Sequence, residues 1–241
     1  MANTTSEKPG SSKRNEVVNL RHGGKKDLTC PRCHYRRDKE KPRHSVPELV
    51  DSEKLRGAVG ELRDAILAKG KFEEEAFMLG VLEAKVRGRE YYLAACSSGR
   101  IDISPYLGQI SYHKGSWKLP ATEAAVPRID DGRWTGDGWR TIKWEKVDIP
   151  LQEGGQAIPH IDQTCAAMKL LLGLGCLLRG DAWGAVEYVR MSEMYYVGPR
   201  NTTASRQWHG EGETCSWTAH SCRPCNIRIP YLLCDIASNW M

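Results

Sequence analysis

Phenylalanine is nearly missing from this chain, with 2 in 241 residues, while tryptophan, at 8, and tyrosine, at 9, supply the aromatic content. No apolar run approaches the roughly 20 residues that cross a bilayer, so a helical membrane span is excluded. The amino-terminal stretch MANTTSEKPGSSKRN contains no apolar core of the signal-peptide type, and an intracellular location, cytoplasmic or nuclear, is the expectation. In such a reducing compartment the 9 cysteines read as metal ligands or buried thiols rather than as a disulfide framework.

Charge is unevenly placed. Residues 1–45 hold 12 of the 35 Lys and Arg but only 5 of the 30 Asp and Glu, so the net charge of +5 belongs to the amino-terminal stretch. With its Gly, Ser and Lys content, residues 1–46 are expected to form a basic, mostly disordered tail able to neutralise phosphates in a salt-dependent way. Within it, Cys30-Pro31-Arg32-Cys33 marks either a small zinc knuckle or two spare thiols. No second Cys pair follows at finger spacing, which favours the latter. Residues 47–241 are expected to form one folded domain.

Periodicity gives that domain its element order. Residues 48–69 carry Leu55, Val59, Leu62 and Ile66 at helical spacing behind the cap candidate Ser52. Residues 76–84 and 91–96 read as strands around Arg87-Gly88-Arg89, a hairpin. Residues 101–160 are an insertion rich in Gly, Pro, Trp and charge, with a turn expected at Gly136-Asp137-Gly138. The segment 162–178 is apolar nearly all round, as suits a helix buried on a sheet. Residues 185–197 read as strand or helix, 213–219 as a strand, and Ser221 caps a final helix that Pro230 should kink or end. The order helix, hairpin, helix, strand, helix implies an α/β layered domain.

Three cysteines carry the chemistry. Cys165 opens the apolar helix, and Cys222 and Cys225 open the last one, where free N–H groups favour thiolates. Three sulfurs can hold one zinc and leave a fourth position for water, the requirement of a catalytic rather than a structural site. His160, beside Asp162, suits a pocket role, and His220, two residues before Cys222, suits a substrate contact.

Thr164-Cys165-Ala166-Ala167 resembles the T-C-A-E motif of the cytidine deaminase superfamily, with alanine in the glutamate position, and Ser221-Cys222-Arg223-Pro224-Cys225 resembles its second metal motif. Cys215-Ser216-Trp217-Thr218 is similar to the strand that precedes this motif in the AID/APOBEC branch. The resemblance covers about residues 50–235. It implies a three-layer domain with a central mixed sheet flanked by helices, and zinc held by Cys165, Cys222 and Cys225. The activity it implies is hydrolysis of cytosine to uracil, with the proton-shuttling carboxylate at position 167. Two departures stand out: the motif spacing implies an insertion near 180–212, and little chain follows Cys225 to complete the sheet.

Ala167 has three explanations: a Glu-to-Ala substitution that permits binding without turnover, a naturally non-catalytic relative, or another acid such as Glu211 or Glu213. The otherwise intact motifs favour the first. For partners, Tyr106, Tyr112, Trp117, Trp134, Trp139 and Trp144 alternate with cations across the insertion, a composition that stacks unpaired bases and tracks phosphates. Trp139, Trp144 and Trp217 are the named candidates. Nucleic acid, single-stranded or with a base flipped from a duplex, is therefore the expected substrate. A free nucleoside or nucleotide deaminase and a non-catalytic, zinc-stabilised nucleic-acid-binding module are the alternatives.

Overall fold

The computed structural model describes residues 22–23, 29–32, 46, 48–121, 126–127, 129–130, 133–134, 138–153, 155–157, 165–179, 186–203, 215–217 and 223–234. In chain order its elements begin with β1 (His22–Gly23), β2 (Glu48–Leu49), α1 (Glu53–Ala68), β3 (Ala76–Val86), β4 (Arg89–Cys96) and a 3-10 turn (Ser104–Gln109). The insertion holds β5 (Ile129–Asp130), β6 (Arg133–Trp134), β7 (Trp139–Arg140), β8 (Lys146–Val147), β9 (Gln152–Glu153) and β10 (Gln156–Ala157). α2 (Ala166–Leu178), β11 (Val186–Val197), β12 (Cys215–Trp217) and α3 (Arg223–Leu232) follow.

Local chemistry explains the main elements. Ser52 caps α1 by accepting from the Leu55 N–H at 3.2 Å. The β3–β4 hairpin turns on Arg87 and Gly88, both at positive φ (50° and 75°), the signature of a tight turn whose twist matches its strands. α2 buries Met168, Leu170, Leu171, Leu172, Leu174 and Leu178, so it is enclosed rather than laid on a surface. Each such side chain stabilises by about 1.5–3 kcal/mol relative to exposure.

A four-stranded sheet, in the order β12-β11-β3-β4, forms the centre. Two cores lie on its two faces. Leu82, Ala84, Leu93, Ala95 and Met191 face α2 and α3. Phe77, Leu79, Val81, Ala94, Met194 and Tyr196 face α1 and the 3-10 turn. The chain is thus a mixed α/β protein with helices on both sides of a small antiparallel sheet. No helix among the described residues is long and apolar enough to cross a membrane.

Several expectations are corrected. Among the described residues the sheet is antiparallel rather than mixed: β3 pairs antiparallel with both β4 and β11. The helical crossover joins β4 to β11, which run parallel to each other, but β3 lies between them, so neighbouring strands are antiparallel. Among the described residues, parallel pairing is confined to the single bridges Val50–Arg190 and Leu93–Lys118.

Of residues 1–46, the structure describes 22–23, 29–32 and 46. β1 pairs with β2, and Cys30, Arg32 and Val46 are buried. Arg32 donates to Glu145 at 3.0 Å and to the Lys146 carbonyl at 3.4 Å, which ties this segment to the insertion. Burial lowers the Arg32 pKa, but the nearby Cys234 thiol and the Glu145 carboxylate outweigh it, and the net shift is upward.

Pro230 lies inside α3 and does not end it, since the helix runs on to Leu232. The arms expected on either side of Gly136-Asp137-Gly138 are present as the short strands β6 and β7, while residues 135–137 lie outside the described residues. These two strands take different partners, β6 with β5 and β7 with β8.

The seating of α2 depends on Gly80 of β3. A methyl there would lie 2.9 Å from Leu170 Cδ1 and 3.2 Å from Ala166 Cβ. Gly80→Ala is expected to cost roughly 1–3 kcal/mol by overpacking, read as a lower urea midpoint at unchanged slope. Wild-type stability in that variant would show that the helix is not held so closely.

Candidate metal centre

Cys165 occupies the N-cap of α2 with extended backbone (φ −76°, ψ 117°), yet makes no side-chain bond to its own helix. Its sulfur turns instead to the first turn of α3, where the Cys165 Sγ to Cys225 Sγ distance is 3.0 Å. The two residues are 60 positions apart in the chain. Cys225 is buried and Cys165 half-buried. Two helix starts therefore deliver two sulfurs to one point, in the positive field of both N-termini.

Their spacing is informative. A disulfide holds its sulfurs at about 2.05 Å. Two sulfurs on a tetrahedral zinc, with bonds of about 2.3 Å, stand about 3.8 Å apart. The observed 3.0 Å lies between, so small side-chain rotations reach either state. As soft donors at one point the pair fits zinc. Among the described residues no group of three His, Cys, Asp or Glu converges. Cys222, the third expected ligand, lies outside the described residues, as do His160, His220, Glu211, Glu213 and Cys33.

Lys169, one turn beyond Cys165, borders the site. Its ammonium donates to the carbonyls of Cys96 at 2.7 Å and Ser98 at 3.4 Å. Burial lowers the Lys169 pKa, opposed by the neighbouring Cys96 and Cys165 thiols. Burial in turn raises the Cys96 pKa, opposed by Lys169. Cys96 and Cys176 are buried thiols, as their apolar sequence surroundings imply.

Ala167 is completely buried in the core between sheet and helices, with Ala166 and Met168 beside it. The expected aromatic surface divides. Trp139 is fully buried and Tyr106 and Trp117 nearly so, so none of the three presents a ring to a passing base. Trp139 instead packs with Ile142, Val147 and Ile149 in the α2-facing core. In a chain with 2 phenylalanines, tryptophan fills that volume.

Trp144 remains half-buried, in a left-handed conformation (φ 62°) that a bulky residue rarely adopts. The guanidinium carbons of Arg140 and Arg179 stand 5.8 and 5.9 Å from its ring. The ring edge lies 3.3 Å from where a Gly175 methyl would be. That is ten residues along α2 from Cys165, about 15 Å. Of Trp217 only the backbone pairing with Met194, at the sheet edge, is described.

No family model, curated protein or solved structure matches the chain.

The short sulfur approach predicts a cross-link. Treated with chelator and then a mild disulfide oxidant, the folded chain should give a Cys165–Cys225 linked peptide by mass mapping, and prior loading with zinc should suppress it. Random pairing among the cysteines would contradict the convergence of the two helix starts.

Proposed function

We propose that this chain is a zinc-dependent hydrolytic deaminase of cytosine in nucleic acid. One observation carries the reading: thiols 60 residues apart meet at 3.0 Å where α2 and α3 begin, on the same face of the sheet. Cys165, Cys225 and, from its spacing, Cys222 would hold the metal. When bound, zinc supplies a water of lowered pKa for attack on a ring carbon. The layered order of helix, hairpin, helix, strand and helix supports the same reading, since it puts both cysteine-bearing helix starts against one sheet.

The chain's own residues then have distinct tasks. Lys169, anchored to the Cys96 and Ser98 carbonyls, stiffens the approach to Cys165. Position 167 supplies no proton transfer, because it is a methyl group in the core. That burial favours a second reading, a non-catalytic zinc-stabilised module that binds nucleic acid.

A polymeric substrate is preferred to a free nucleoside because of Trp144. Its ring between two guanidiniums stands about 15 Å along α2 from Cys165, beyond the reach of a base held at the metal but within that of the strand carrying it. Arg179→Ala is expected to weaken oligonucleotide binding at every sequence and to lower the salt slope by about 1, leaving zinc content unchanged. An unaltered slope would remove this surface from the interface.

The enzymatic reading is tested with Ala167→Glu. Zinc should bind at one equivalent per chain and be lost in Cys165→Ser and Cys225→Ser. The zinc-loaded Ala167→Glu protein should release ammonia from a cytosine-containing single strand. A variant that holds zinc and the oligonucleotide but converts neither oligonucleotide, duplex nor free nucleoside would leave only the binding module.

A further inference from the structure

Besides the Cys165–Cys225 pair, the described residues include the thiols of Cys30, Cys96, Cys176 and Cys234, and all four are buried. Cys96 is also held chemically. Its thiol donates to the carbonyls of Ser98 and Ile101, each at 3.3 Å, and burial pushes its pKa up, opposed by Lys169. A sulfur so enclosed is inert towards reagents in solution.

Cys165 and Cys225 differ from these four and from each other. Cys165 is the one described cysteine that is not fully buried. Its sulfur makes no capping bond to the helix it begins. Cys225 is 3% exposed, and its sulfur stands 3.0 Å from that of Cys165. A disulfide bond of about 2.05 Å is therefore reached by an approach of about 1 Å. Ala167, Ile229 and Leu232, on the two helices that carry the pair, lie in one core with Cys225. Packing rather than a covalent bond holds the sulfurs at this spacing.

An outer thiol in contact with an inner one is the arrangement that thiol–disulfide exchange requires. The reachable sulfur attacks the incoming disulfide, and the neighbour displaces what that attack leaves behind. Proximity alone predicts a bond between the two; their unequal exposure predicts the order in which they react.

We propose that Cys165 and Cys225 form a redox-active dithiol whose substrate is a low-molecular-weight disulfide, with Cys165 as the attacking thiol and Cys225 as the resolving one. This chemistry needs no metal and no third ligand, so it stands apart from the deaminase reading. In the first step the Cys165 sulfur, having released its proton, bonds to one sulfur of the reagent R–S–S–R. The reagent's sulfur–sulfur bond breaks, and R–S⁻ leaves and takes up a proton. In the second step the Cys225 sulfur, deprotonated in turn, bonds to Cys165 Sγ. The mixed disulfide breaks, and the second R–S⁻ leaves and is protonated. Two electrons pass from the chain to the reagent, which ends as two R–SH. Excess R–SH runs both steps backwards. The cross-linked form offers neither sulfur to a metal, because a ligating cysteine must be a thiolate. Oxidation and metal occupancy of this point therefore exclude each other.

The test exposes the full-length, chelator-treated chain to oxidised glutathione, quenches it with acid at intervals, and maps the peptides bearing Cys165 and Cys225 by mass. Glutathione should appear first on Cys165, give way to the Cys165–Cys225 cross-link, and be followed by reopening when reduced glutathione is added in excess. Cys225→Ser should take up glutathione on Cys165 within about threefold of the native rate and keep it, while Cys165→Ser should react at Cys225 at least about tenfold more slowly. Circular dichroism checks that both variants fold; if either does not, the order of events in the native chain decides. Four results each overturn the proposal: no modification of either cysteine, a first modification at Cys225, glutathione that stays on Cys165 of the native chain or is displaced by a cysteine other than Cys225, and a cross-link that reduced glutathione does not reopen.

Discussion

Helix α2 has no side it can show to water. Its leucines point to the sheet, to α3 and to the insertion, and only Leu177 and the capping Arg179 at its far end are exposed. Such a helix is stable only when enclosed, and enclosure at van der Waals distance requires gaps in the surfaces around it. Gly80 provides the gap in the sheet. Gly173 and Gly175 provide two more on the helix itself, where a methyl would meet Pro120 at 2.7 Å and the Thr141 carbonyl at 2.8 Å. The insertion is therefore a lid over a helix that the sheet covers on one side only. The start of α2, and Cys165 with it, is placed as firmly as the core.

This placement sets what the cysteine pair can do. A thiol on a loop meets partners by chance, whereas these two sit at the ends of buried elements and meet by construction. A metal would hold them about 3.8 Å apart and an oxidant would join them. In either case the linkage falls between two helices that already touch, so little rearrangement is needed. Trp144 sits against Gly175, near the other end of the same helix.

Much of the frame was legible in the sequence, and the reasons are particular. α1 announces itself through Leu55, Val59, Leu62 and Ile66 with Ser52 ahead of them. The β3–β4 turn is written in Gly88, and α2 in its unbroken apolar run. The insertion was not legible because its strands are two residues long, too short for any period to show. Trp139 and Trp144 look alike among alternating cations, and only packing separates the buried ring from the half-exposed one. The burial of Glu193 on β11 was hidden for a related reason. β11 is covered on both faces, so its apolar and polar residues do not alternate, and a glutamate in Val-Arg-Met-Ser-Glu-Met carries no mark of the face it occupies. Cys30 gave no signal of burial, because its neighbours in sequence are polar and the core it joins is drawn from distant parts of the chain.

The membership of that core bears on the order in which the protein folds. Cys30 and Val46, from the beginning of the chain, share one core with Leu232, Leu233 and Cys234, from near its end. The Ile142 amide is bonded to the Leu232 carbonyl at 2.9 Å. The α2-facing core thus remains open until residue 234 has been synthesised, whereas the α1-facing core, drawn largely from residues 55–117, can close much earlier. During translation the apolar surface of α2 has to wait for its final cover. In that interval the nascent chain most needs protection from aggregation.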